Sequence, residues 1–140
     1  MRIFTLFFLC TLLFCCKSRE FPADTASQTM LRFGSGGGVT GFYTHYTLLD
    51  DGRLFKQADP DKAVVWLKKI PGKTHKDCFA RVDSLGLKTL DFKEPGNMTY
   101  YIDVVEAGAH HEISWGERKA LVPPGVQQLY DDLVALTRAE

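Results

Sequence analysis

Gly36-Gly37-Gly38-Val39-Thr40-Gly41 spells G-x-G-x-x-G, a pattern whose chemistry is capture of a pyrophosphate at the N-terminus of a helix inside a βαβ unit. Here the glycines run instead into Phe42, Tyr43, Thr44, His45, Tyr46 and Thr47, an aromatic and β-branched stretch that predicts a strand. A strand offers a phosphate no helix dipole, and no Gly-Lys-Ser/Thr follows, so neither a dinucleotide nor a P-loop phosphate is expected. The four histidines are His45, His75, His110 and His111. No two of them have the i, i+4 spacing of a helical zinc pair, and the adjacent His110 and His111 on a strand would point to opposite faces, so no metal site is expected. Ser35, Ser84 and Ser114 sit in no nucleophile-elbow context. Cys78 lies at helical spacing with apolar neighbours, which makes it a small core residue. Asp50-Asp51 reads as a turn and Asp131-Asp132 as the wet side of a helix. No constellation for catalysis and no cofactor is expected.

The glycines therefore need another explanation. One reading is structural: a bulge or a wide hairpin connection between two strands. The other is a backbone-exposing loop that docks into a partner's groove, because only glycine lets another chain approach so closely.

Around this loop the elements follow from periodicity. Thr29 to Phe33 predicts a strand, Phe42 to Leu49 a second, and Asp51-Gly52 before Arg53-Leu54-Phe55-Lys56 predicts a hairpin with a type I′ turn. Val64 to Ile70 predicts another strand, ended by Pro71-Gly72. Thr74 to Asp77 has the capping-box pattern, followed by Cys78, Phe79, Val82 and Leu85 on one helical face and by Gly86 as the terminator. Tyr100, Ile102 and Val104 alternate with Tyr101, Asp103 and Val105, and Gly108 turns this strand into a partner through Ile113 and Trp115. Pro123-Pro124 opens a last helix with Val126, Leu129, Tyr130, Leu133, Leu136 and Thr137 on its apolar stripe. The sum is an α+β domain, a mostly antiparallel sheet of about four to six strands with two helices on one face.

Composition narrows the classes further. The 140 residues hold 17 Lys+Arg and 17 Asp+Glu, and this zero net charge leaves no field to hold nucleic acid. Residues 1–15 read as a signal peptide: Arg2, then an apolar run from Ile3 to Phe14 that is too short to span a bilayer and is followed by Lys17, Ser18, Arg19 and Glu20. The run ends in Leu13-Phe14-Cys15-Cys16, which resembles the lipobox of bacterial lipoproteins, although Phe14 stands where the common pattern has a smaller residue. By that resemblance Cys16 is the acylated first residue of the mature chain, with Cys15 the alternative. Several acyl chains would then hold the protein firmly on a membrane. Lys17 in place of Asp after the cysteine implies the outer membrane, and Lys17-Ser18-Arg19-Glu20, which is not an acidic run directly after the cysteine, implies its periplasmic face. Residues 16–27 contain Pro22 and no apolar period, a tether, and residues 28–140 form the single domain.

Arg32-Phe33-Gly34-Ser35-Gly36-Gly37-Gly38-Val39-Thr40-Gly41 is similar to the opening of the emfourin family, in which a strand runs into Ser-Gly-Gly-Phe-Ala-Gly. Gly37, Gly38 and Gly41 match that stretch, while Gly36, Val39 and Thr40 replace its Ser, Phe and Ala. The Tyr100-Tyr101-Ile102-Asp103-Val104 strand, the His111-Glu112-Ile113 strand and the closing helix after a proline also look alike. Emfourins are small inhibitors of thermolysin-like zinc metalloproteases. The resemblance implies a protease-binding module on a lipid anchor, with Gly36, Gly37, Gly38, Val39, Thr40, Gly41 and Phe42 at the contact. The alternative is an envelope interaction or structural lipoprotein that inhibits nothing.

Overall fold

Side chains alternate across a strand, so the parity of the apolar residues decides which face of the sheet is covered. Leu31 and Phe33, Leu48, Leu54, Ile102 and Val104, and Ile113 and Trp115 supply one apolar face, and all belong to one buried cluster. The computed structural model describes residues 21, 27–61, 63–117 and 122–138. The expected signal peptide, Cys16 and most of the tether lie outside the described residues.

The strands are β1 (Met30–Gly37), β2 (Phe42–Leu49), β3 (Arg53–Ala58), β4 (Val65–Lys69), β5 (Lys93–Glu94), β6 (Met98–Glu106) and β7 (Ala109–Trp115), with helices α1 (Gly72–Ser84) and α2 (Pro124–Leu136). They form one seven-stranded sheet in the order β4-β3-β2-β1-β6-β7-β5. Every pairing is antiparallel except β5 with β7. Both helices lie on the apolar face, where Cys78 and Val82 of α1 and Val126, Leu129, Tyr130 and Leu133 of α2 join the cluster. The α+β class is as expected. The strand count exceeds the expected four to six because β5 is two residues long, too short to carry any period.

Local chemistry explains where the other boundaries fall. β1 does not stop at Phe33 but runs on to Gly37, so the glycines are not an interruption between strands: Gly34, Gly36 and Gly37 are paired with both β2 and β6. Glycine is needed because the strands approach too closely for a side chain. A Cβ on Gly34 would stand 2.0 Å from the Thr44 carbonyl oxygen, and one on Gly36 would stand 2.3 Å from Cγ of Tyr43.

Helix α1 starts a turn before the expected capping box. Pro71 is its N-cap, no side chain caps it, and the Pro71 carbonyl accepts from the N–H groups of Thr74 and His75 at 3.0 and 3.1 Å. Its end is as expected. Gly86 sits at φ +65, and the N–H groups of Gly86 and Leu87 reach the Asp83 and Val82 carbonyls at 3.1 Å each. This is a Schellman closure with buried Leu87 as its apolar contact. Arg81 and Asp132 then tie α1 to α2 with an ion pair of 2.7 Å.

The β2–β3 connection is a three-residue loop rather than a two-residue type I′ turn. Gly52 donates to the Leu49 carbonyl at 2.9 Å and alone in the loop has a positive φ, +91. The primed turn lies instead between β6 and β7, where Ala107 and Gly108 have φ of +50 and +80 and Glu106 pairs with Ala109. Alanine is strained in that conformation, whereas asparagine tolerates it. Ala107→Asn is therefore expected to stabilise the protein by about 0.5–1 kcal/mol, read as a raised urea midpoint at unchanged m-value.

Candidate functional site

Among the described residues two places are candidates for a functional site, and the first is the β1–β2 tip. Gly38, Val39, Thr40 and Gly41 make the turn, with Gly38 and Gly41 both at φ +66. Three hydrogen bonds fix it: the Gly38 N–H to the Asn97 carbonyl at 2.7 Å, the Gly41 N–H to the Gly38 carbonyl at 3.3 Å, and the Phe42 N–H to Thr40 Oγ1 at 3.3 Å. Val39 is fully exposed and Phe42 half-exposed. A Cβ on Gly38 would touch Met98 Sδ at 3.4 Å, which puts a third apolar side chain against the turn. Of the residues expected to bind a partner, Val39, Thr40, Gly41 and Phe42 stand at the tip. Gly36 and Gly37 belong to the β1 ladder, and Gly36 is buried under Tyr43.

The second place is the sheet face opposite the helices. Gly34 and Gly36 carry no side chain there, so residues from β2 and β6 meet over β1. Tyr43 stacks on His45 at 5.7 Å and 7°. His45 Nδ1 is hydrogen-bonded to the Tyr101 hydroxyl, and burial pushes the Tyr101 phenol well above its ordinary pKa. In the next row, Arg32 pairs across to Asp103 and Asp103 to Glu112. Asp103 Oδ2 lies 2.8 Å from His110 Nδ1, and its buried Oδ1 has no hydrogen-bond partner among the described residues. Arg32, Tyr43, His45, Tyr101, Asp103 and Glu112, together with Thr99, line a shallow trough of about 290 Å³.

Sequence reasoning missed this trough. Its signal was the parity opposite to the core, Arg32, Tyr43 and His45, Tyr101 and Asp103, His110 and Glu112, but only the register between distant strands brings the four segments together. The other candidates disperse. His75 is buried at the start of α1 with Nδ1 3.2 Å from the Ile70 carbonyl, and His111 lies on the face away from His110. Ser84 donates to the Arg81 carbonyl on α1 at 3.2 Å, and Ser114 is buried on β7. The free thiol of Cys78 is buried, and that burial pushes its pKa up, away from the thiolate a nucleophile needs. Among the described residues no three His, Cys, Asp or Glu side chains are gathered to hold a metal ion.

Helix α2 supports the sheet from below. The Tyr130 hydroxyl donates to the Gly34 carbonyl at 3.2 Å, and burial pushes the phenol up to about 12. A phenol that ionises near 10 when unfolded and near 12 when folded leaves stability unchanged below pH 10 and removes it as pH rises towards 12. The Tyr130 contribution is expected to be constant up to about pH 10 and to be lost above it, so Tyr130→Phe should make the fall in stability above pH 10 shallower in denaturant titrations.

No known protein family's sequence pattern matches the chain. No curated protein matches it either.

Proposed function

We propose that the chain is a lipid-anchored envelope protein that works as a binding module, presenting the β1–β2 tip to a protein partner. The observation that carries this reading is Val39, 107% exposed at the apex of a turn held by three hydrogen bonds, with Phe42 and Met98 beside it. An apolar side chain gains nothing from water, and a pre-ordered loop loses little entropy on docking, so the arrangement favours insertion into an apolar pocket. Following the resemblance to emfourins, the partner is a thermolysin-like zinc metalloprotease, with Val39 and Phe42 filling its substrate pocket and Gly38 and Gly41 allowing close backbone approach. The chain itself performs no catalysis in this reading.

The test is titration of the mature protein into such proteases, following peptide hydrolysis and checking by gel that the chain is not consumed. Tight stoichiometric loss of activity is expected. Val39→Asp/Phe42→Asp should weaken inhibition by about 100-fold or more, since two desolvated anchors are replaced by charges. Its melting temperature should fall only slightly, because Val39 is fully exposed and Phe42 half-exposed. Full activity of several such proteases at excess protein would remove the inhibitor reading. Inhibition by the double variant would remove the tip.

A further inference from the structure

The described chain reaches the domain on the face opposite the helices. The ring of Phe21 meets Phe55 of β3 edge-on, 5.4 Å between centroids at 70°. Phe55 pairs directly with Trp66 of β4, so the two side chains share that face. β4 is an outer strand of the sheet, and its Trp66 and Val65 are 59% and 52% exposed. Lys69 on the same strand is exposed as well.

We infer that the β4 edge, with Trp66 at its centre, lies in the headgroup layer of the phospholipid bilayer that carries the chain's own anchor. The inference rests on the reading of Cys16 as the acylated residue. From Cys16 to Phe21 there are five residue steps, at most about 18 Å of fully extended chain. A folded domain of this size is about 35 Å across. A tether shorter than the body it holds cannot let the attached side turn away from the membrane. The tether lands on Phe55, and Trp66 is the next strand outward, about 5 Å further towards the edge. What stands there is what a headgroup layer takes: an indole with an apolar body and one N–H, and a lysine for anionic lipid.

The orientation agrees with the proposed use of the tip. With β4 against the bilayer the strands run along the surface. β2 and β1 are the second and third strands away from β4, which lifts the Val39 turn about 10–15 Å off the headgroups and leaves it free for a partner.

The chain has two tryptophans, and Trp115 is 1% exposed, so emission from Trp66 can be read against a buried internal control. The experiment uses the full protein extracted from membranes and reconstituted into phosphatidylethanolamine/phosphatidylglycerol vesicles, with and without lipids brominated at the headgroup end of their acyl chains. Mass spectrometry of the N-terminal peptide is run on the same sample. Bromolipid is expected to quench the Trp66 share of the emission, and Trp66→Phe to abolish the quenching while leaving the Trp115 emission. Unquenched Trp66 in a protein whose N-terminal peptide carries acyl chains would overturn the membrane-facing edge and leave the anchor standing. A mature N-terminus without acyl chains would overturn both. Crosslinking between β4 strands of two copies without quenching would assign the edge to a second copy instead.

Discussion

Trp115→Ala is expected to lower the unfolding free energy by about 4 kcal/mol, a large part of the total stability of a domain this size. Trp115 is among the largest fully buried side chains. It meets Tyr130 edge-on at 5.2 Å and Tyr100 in a stacked pair at 6.4 Å, and the two tyrosines meet each other at 5.9 Å. This aromatic triad clasps α2 to β6 and β7, so truncation both empties a cavity and removes ring contacts that fix the helix. The indole Nε1 has no hydrogen-bond partner among the described residues, so Trp115→Phe loses volume but no hydrogen bond. It should cost about 1–2 kcal/mol, well below the alanine variant. Urea unfolding of the two variants checks the ordering, and equal losses would contradict the account.

The second large effect is expected at Gly34. The Gly34→Ala methyl would stand 2.0 Å from the Thr44 carbonyl oxygen, which belongs to backbone and cannot rotate away. Either β1 and β2 separate or the carbonyl leaves its ladder, and the Gly34 carbonyl that accepts from Tyr130 moves with the strand. A loss of about 3 kcal/mol is expected. Two other glycines calibrate this value. Gly41 has open space around it but a φ of +66, so Gly41→Ala pays backbone strain alone, about 1 kcal/mol. Gly72 also has open space and begins α1, so Gly72→Ala should be neutral or stabilising by about 0.5 kcal/mol. Thermal unfolding of the three variants in parallel tests whether close strand approach, rather than glycine content, governs the site.

The elements with many periodic residues were legible from the chain. The Val126, Leu129, Tyr130, Leu133 stripe announces α2, and the alternation from Tyr100 to Val105 announces β6, because each repeats its signal over several turns or pleats. What escaped has a physical reason in each case. Gly34 and Gly36 look like loop residues because propensity describes an isolated strand, whereas their role here is set by the neighbouring strands. Lys93-Glu94 forms a strand only because β7 is there to pair with. Thr74 to Asp77 has capping letters, but the Pro71 carbonyl already serves as the first acceptor of α1. At the candidate site, the tip residues Val39 and Phe42 could be named from local sequence. The trough of Arg32, His45, Tyr101, Asp103 and Glu112 could not, since it depends on β1 lying between β2 and β6.

That central position also bears on how the chain avoids aggregating while it is incomplete. β1 pairs at once with β2, but its other partner is far along the chain: Met30 faces Val105. Until β6 docks, the free side of β1 is a bare row of backbone groups, the kind of template on which unfolded chains assemble into intermolecular sheets. A Val- or Ile-rich strand in that position would invite such assembly. Arg32, Gly34, Gly36 and Gly37 make it a poor one, having a charge and too little side chain to build a dry interface. The residues that let β2 and β6 close over the finished sheet therefore also protect its unfinished edge.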